Sequence, residues 1–344
     1  MRCLLFLALL TIGCSSTAPD PQVEEGRALY VKYCALCHGE QGQGYAADEA
    51  TAVTNGAFLA AATDRYLHDA IDRGRSGTSM SGWGKALGGP LSGGDIDRIV
   101  VFLRAQQSLP GVDLRAYGPL TTGGEPLRAF GTWAAECAAC HGKEGKGGKF
   151  MSLANPELLA SASNAFLRHA IEIGRPGTPM PRFAEVLTDQ QLRDLVALVR
   201  SWATPVGATP TELPSSNLGD ATINPSGPDA AFDGVVGKYV SAAKVKVEFD
   251  RGARMVLLDA RAPSDYVSGH LPGAVSVPFY VVDDYLSQLP REAWIVAYCA
   301  CPHAASGAAA DALVAKGYKK VKVLDEGIGY WRDQGWPLTV GAKR

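Results

Sequence analysis

Apolar residues recur along this chain in two rhythms, and the change between them falls after residue 231. Before that point the spacing is helical. Leu29, Tyr30 and Tyr33 line one side of a predicted helix, and Tyr66-Leu67 with Ala70-Ile71 mark a shorter one. Ser92 is placed to cap a helix carrying Ile96, Ile99, Val100 and Leu103 on one face. Thr188 is placed to cap another carrying Leu192, Leu195, Val196 and Val199. After residue 231 the apolar stretches become short and continuous. Met255 to Leu258, Trp294 to Tyr298 and Val321 to Leu324 suit buried parallel strands. An Ala-rich helix from about Ala304 to Lys316 lies between the last two, which makes a βαβ unit and predicts a parallel sheet with helices on both faces.

The helical half repeats itself. Gly74-Arg75-Ser76-Gly77-Thr78-Ser79-Met80 returns as Gly174-Arg175-Pro176-Gly177-Thr178-Pro179-Met180, and Cys34-Ala35-Leu36-Cys37-His38 returns as Cys137-Ala138-Ala139-Cys140-His141. The offsets are 100 and 103 residues, near enough in register to mark a duplicated unit. Cys-x-x-Cys-His reads as a c-type haem attachment site. Two thiols one helical turn apart can form thioethers to one haem edge, and the adjacent His then ligates the iron. Cys34, Cys37, Cys137 and Cys140 are thus the expected attachment residues, with His38 and His141 as proximal ligands. A zinc site needs further Cys or His ligands nearby, and neither segment supplies a second Cys pair. Met80 and Met180 are the expected distal ligands, since a Gly/Pro loop can hold a soft thioether over the open face of the haem. The alternative is that each fills core space. His68 and His169 are the rivals, but they do not align between the copies and read as helix-surface residues. Gly39, Gly42 and Gly44 break the helix after His38 and let backbone approach the porphyrin.

With these motifs in hand, residues 22 to 203 resemble class I cytochromes c, and Gly177-Thr178-Pro179-Met180-Pro181 looks like the haem modules of bacterial dihaem and oxidase-associated cytochromes. The resemblance implies two all-α electron carriers, two covalently bound haem c groups with His/Met ligation, and redox partners such as cytochromes or a terminal oxidase.

Chemistry of another kind is expected at Cys299, at the carboxyl end of its strand and the mouth of a helix. Ligands bind at that edge of open α/β sheets. Loop and helix amides there favour a thiolate and lower a thiol pKa from about 8.5 toward roughly 3.5–7.5. A space-filling buried Cys is the competing reading. Leu258-Asp259-Ala260-Arg261, Asp265-Tyr266, Gly269-His270-Leu271-Pro272-Gly273-Ala274, Tyr298-Cys299 and Gly327-Ile328-Gly329-Tyr330-Trp331 together resemble the rhodanese domain over about residues 236 to 340. The resemblance implies sulfur transfer through a persulfide on Cys299. Asp259, Arg261, Asp265 and His270 then brace the site first and act in chemistry second. Two departures stand out. Ala300-Cys301-Pro302-His303-Ala304-Ala305-Ser306 contains no Arg or Lys, so His303 is the sole titratable helper, which weakens thiosulfate as a substrate. Cys301 is placed to attack a persulfide on Cys299, or else is simply a small buried residue.

Composition adds bounds. The 344 residues suggest two or three domains, and a net charge of −2 gives no sign of a nucleic-acid partner. Residues 1–13 read as a secretory leader too short to span a bilayer. Gly13-Cys14-Ser15-Ser16 resembles a bacterial lipoprotein signal, although Thr11 stands where that pattern usually has Leu. The resemblance implies acylation of Cys14 and a lipid anchor on the periplasmic side of the cell envelope. The expected layout is a haem module over 22–105, a linker over 106–126, a second haem module over 127–203, a flexible linker over 204–235, and the α/β domain over 236–344. The expected function is an exported, membrane-anchored electron carrier that handles sulfur compounds.

Overall fold

The computed structural model describes residues 20–46, 50–118, 123–300 and 303–344. The leader, Cys14 and Cys301 lie outside the described residues. The chain starts with α1 (Pro21–Tyr33), capped by the Asp20 carboxylate on the Gln22 amide. It breaks at Cys34 and resumes as α2 (Ala35–His38). Short helices α3 (Gly56–Ala61) and α4 (Asp64–Arg73) follow, capped by Asn55 and Thr63. Next comes α5 (Gly93–Ala105), where Ser92 and Asp95 form a reciprocal capping box. The second copy repeats this order: α6 (Pro126–Glu136), α7 (Ala138–His141), α8 (Pro156–Ser161), α9 (Asn164–Ile173) and α10 (Asp189–Ser201), the last boxed by Thr188 and Gln191. In each module the first helix packs across the last. Tyr30 meets Phe102 at 5.0 Å between ring centroids, and the matching Trp133 meets Trp202 at 4.8 Å. The two modules share one apolar core.

The α/β domain runs β1 (Tyr239–Val240), α11 (Ala242–Asp250), β2 (Met255–Asp259), α12 (Pro263–Ser268), β3 (Val275–Ser276), β4 (Trp294–Tyr298), α13 (Ala304–Ala315), β5 (Val321–Leu324) and α14 (Gly327–Asp333). Five parallel strands lie in the order β1-β5-β4-β2-β3, with Leu257 opposite Val296 and Ile295 opposite Val321. Every residue of β2 and β4 is buried. Alternation sends Met255, Leu257 and Val296 to one apolar layer, and Val256, Leu258 and Ile295 to the other. Both sheet faces are therefore covered, as the unbroken apolar runs require.

Three readings change. The stretch 204–235 is not a bare linker. Leu218, Ala221, Ile223, Ala230 and Phe232 are buried against the sheet, and Ile223 bridges Met255 in antiparallel fashion. These apolar residues are isolated in a polar, Pro-rich context, so they show no rhythm to read. The stretch 106–126 likewise holds a 3₁₀ turn, Leu114–Tyr117, that packs on α9. That turn corrects His169, which is buried rather than on the helix surface, with Nδ1 2.7 Å from the Tyr117 hydroxyl. His68 is half-buried beside Asp69 and Asp97.

Candidate functional site

In each module the first Cys stands at the break that ends α1 or α6, and the second lies on the one-turn helix α2 or α7 that follows. His38 Nδ1 lies 2.8 Å from the Thr51 carbonyl, and His141 Nδ1 lies 3.0 Å from the Met151 carbonyl. Each bond fixes the ring and leaves Nε2 available to a metal. Burial lowers the pKa of both imidazoles, which keeps them neutral as a ligand must be. Burial also pushes the Cys34 thiol up to about 12 and the Cys137 thiol up to about 11. A setting that disfavours charge on sulfur suits an uncharged thioether. Gly39 and Gly142 adopt φ of 79° and 80°, and their carbonyls accept from Tyr30 Oη at 2.8 Å and Trp133 Nε1 at 3.2 Å. The residues therefore fit haem c.

The two Met loops are near copies. Arg75 N donates to the Met80 carbonyl at 2.8 Å, and Arg175 N to that of Met180 at 3.0 Å. The Thr78 and Thr178 hydroxyls each donate to the carbonyl of Arg75 or Arg175 at 2.7 Å and accept from the Met amide at 3.1 and 3.2 Å. Each loop is a closed turn that presents a half-buried Met.

Cys299 follows β4 directly and is buried, with Sγ 3.2 Å from the Ser306 hydroxyl on α13. Its carbonyl accepts from the Ile328 amide at 3.0 Å. His303 stands at the N-terminal boundary of α13 with φ of 78°. Its Nε2 lies 2.7 Å from Asp325 Oδ1, and its ring lies 4.1 Å from that of Tyr239, tilted by 41°. Asp259, fully buried, accepts from Arg261 Nε at 2.9 Å and Nη2 at 2.5 Å, and Arg261 also reaches the Gly269 carbonyl at 2.6 Å. Burial opposes the guanidinium charge, but Asp259 outweighs it and holds Arg261 protonated. His270 stacks on Tyr266 at 3.6 Å, and its pKa is lowered by burial. Asp259, Arg261 and His270 thus tie the loops behind the sheet edge together.

The first module docks on this domain. Trp83 lies 5.7 Å from Tyr280 and 6.3 Å from Phe279, and Tyr33 lies 5.7 Å from Tyr280. The Ser81 hydroxyl donates to the Asp265 carboxylate, whose pKa is raised by burial. Helix α2 itself touches α13. The matching positions of the second module are Glu136, Pro181 and Phe183, which offer no such face. Sequence reading missed Ser306, Asp325, Tyr33, Trp83 and Tyr280. The contrast between copies at Tyr33, Ser81 and Trp83 was the available signal.

Comparison with known proteins matches three stretches of the chain. Residues 241–334 match the rhodanese-like domain family, and residues 21–103 and 124–199 match cytochrome c oxidase, cbb3-type, subunit III. An HTH-type transcriptional regulator of Mycobacterium tuberculosis is 34% identical over 88 residues, covering 26% of this chain and 39% of the regulator. A sulfurtransferase of Allochromatium vinosum is 31% identical over 85 residues, 25% of this chain and 78% of that protein. The cbb3-type cytochrome c oxidase subunit FixP of Azorhizobium caulinodans is 29% identical over 185 residues, 52% of this chain and 58% of that subunit. The chain thus spans less than two thirds of the regulator and of the oxidase subunit. Its cytochrome segments imply covalently bound haem c. Through residues 241–334 the chain belongs to the rhodanese family, joined to two cytochrome c segments of the cbb3-type subunit III kind.

Proposed function

We propose that this chain is an exported, membrane-anchored two-haem electron carrier whose rhodanese domain takes sulfane sulfur on Cys299 and shares its redox state with the haem modules. Cys34, Cys37, His38 and Met80 hold one haem, and Cys137, Cys140, His141 and Met180 the other. Bound haem c supplies one-electron exchange at each of these positions. Acylation of Cys14 supplies the anchor, and a cytochrome or terminal oxidase is the redox partner.

At the sulfur site the Cys299 thiolate attacks the sulfane sulfur of its donor. A new S–S bond forms on Cys299, the donor's S–S bond breaks, and the leaving group departs with that electron pair. Attack by Cys301 on the persulfide then releases sulfide and leaves a Cys299–Cys301 disulfide. The two thiols give their two electrons to that sulfur, and the sulfide so formed would be the reductant from which haem held in the modules could take electrons one at a time. Ser306 holds the Cys299 sulfur by its hydroxyl, and Asp325 orients His303 beside the loop. The loop from Ala300 to Ser306 carries no Arg or Lys, which favours polysulfide or a protein persulfide over thiosulfate.

The observation that carries this reading is the direct docking of the first module on the domain that bears Cys299, through Tyr33, Ser81 and Trp83. The test is anaerobic mixing of the oxidised protein with polysulfide while the visible haem bands are followed. The bands reduce in the unaltered chain and stay oxidised in Cys299→Ser; equal reduction in both, or none in either, rejects the coupling. The missing loop cation favours a second reading, a rhodanese module that only binds a partner. A persulfide mass on Cys299 excludes it.

A further inference from the structure

We infer that each haem module positions the distal Met loop of the other, with Asn55 and Asn155 as the crossed positioning residues. The inference rests on Met80 and Met180 being iron ligands. Asn55 Nδ2 donates to the Pro176 carbonyl at 2.8 Å, and Asn155 Nδ2 donates to the Ser76 carbonyl at 3.0 Å. The four residues match pairwise at the 100-residue offset. Residue i of one module meets residue j of the other, and the reverse holds, which defines a two-fold interface made within one chain. Tyr66 and Phe166, also matched at that offset, meet each other at 4.8 Å and so lie near the axis. The Arg175 guanidinium lies over Phe58 of the first module at 5.6 Å.

Ser76 and Pro176 each sit inside the closed turn that ends at Met80 or Met180, so holding them fixes the turn that presents the sulfur. The chemistry is matched in pairs. Ser76 has an amide and a hydroxyl to satisfy, and both donate to the buried Glu157 carboxylate, at 3.1 and 2.9 Å. Pro176 has no N–H, and the residue corresponding to Glu157 is Ala57. The first loop is therefore held by three bonds around buried Asn155 and Glu157, and the second by the single, more exposed bond from Asn55.

Each Asn has a second task. Asn55 Oδ1 caps the Phe58 amide at 3.1 Å, and Asn155 Oδ1 caps the Leu158 amide at 3.0 Å. Asn→Asp keeps that acceptor and the cap while removing the crossed donor; Asn→Ser also keeps a capping oxygen but is too short to reach across. The two roles therefore separate.

The experiment is NMR of the ferrous full chain, reading the two ligated-Met methyl signals, which porphyrin ring current moves far from the rest. Met80→Ala and Met180→Ala assign them. Asn155→Asp and Asn155→Ser shift or abolish the Met80 signal and leave the Met180 signal in place. Asn55→Asp and Asn55→Ser do the converse, with the smaller shift. Perturbation of the Met signal in the mutated module itself, or of neither signal, overturns the inference. Absence of both signals from the unaltered chain overturns the ligand assignment instead, and this inference with it.

Discussion

The two haem modules are built on one plan and put to different uses at their surfaces. Where the first has Tyr33, Ser81 and Trp83 against the rhodanese domain, the second has exposed Glu136, exposed Pro181 and a Phe183 turned into its own core. Their helix crossings differ as well. In the first, α1 and α5 come so close that a Cβ on Gly26 would lie 2.0 Å from the Arg98 carbonyl oxygen. In the second, the matching Ala129 fits and is buried. An ion pair spans each crossing, Arg98 to Glu25 in the first and Arg128 to Asp194 in the second, both at 2.8 Å, with the charges exchanged between the helices. The two copies share the Cys-x-x-Cys-His and Met turns with their helices and differ at their outer faces. The module with the aromatic residues at these positions is the one docked on the rhodanese domain.

The largest expected effect breaks the pairing outright. Replacing Cys34 and Cys37 together by Ser, or Cys137 and Cys140 together, removes one covalent porphyrin from the mass of the mature chain. Only the first replacement is expected to slow reduction by polysulfide; equal slowing by both would erase the distinction between the modules. Next, Gly26→Ala overpacks the first crossing and destabilises it by about 1–3 kcal/mol in denaturant unfolding. Ala129→Gly costs about 1–2 kcal/mol, from helix entropy and the loss of one buried methyl. A neutral Gly26→Ala would contradict the close approach.

A smaller effect separates the loops. Ser81→Ala takes the donor from half-buried Asp265 and costs about 1–2 kcal/mol, whereas Pro181→Ser changes stability by no more than about 0.5 kcal/mol. The smallest concerns acid. The Arg128 hydrogen bond, opposed by burial and helped by the Glu125 amide and Gln190, holds Asp194 below its usual 3.8. A depressed carboxylate pKa stabilises the fold above 3.8 and loses that contribution as pH falls through the lowered value. Asp194→Asn therefore flattens the acid limb of stability against pH by about 1 kcal/mol. The first module reverses the charges at the matching positions, where Arg98 on α5 pairs with Glu25 on α1 at 2.8 Å.

Much of this was legible in the chain. Ser92 and Thr188 announced their helices because capping is local chemistry, and the runs at Met255, Trp294 and Val321 announced buried strands because both sheet faces are covered. The two-residue strands at Tyr239 and Val275 were too short to show a rhythm. Leu218, Ile223 and Phe232 were hidden because single apolar residues become core only when a distant sheet covers them. His169 misled for a related reason: its cover, Tyr117, arrives from 52 residues away in sequence. At the sulfur site Cys299, Asp259 and Arg261 could be read from adjacent motifs, but Ser306 and Asp325 acquire their roles only where α13 and β5 converge.

The unequal partners Glu157 and Ala57 set a rule for the lineage of this chain. A tandem of two first halves would leave the Ser76 amide facing a methyl group, and a tandem of two second halves would set a carboxylate against an imide nitrogen with nothing to offer it. Only the second arrangement strands a buried group, the Glu157 carboxylate, so the two halves are not interchangeable in both directions.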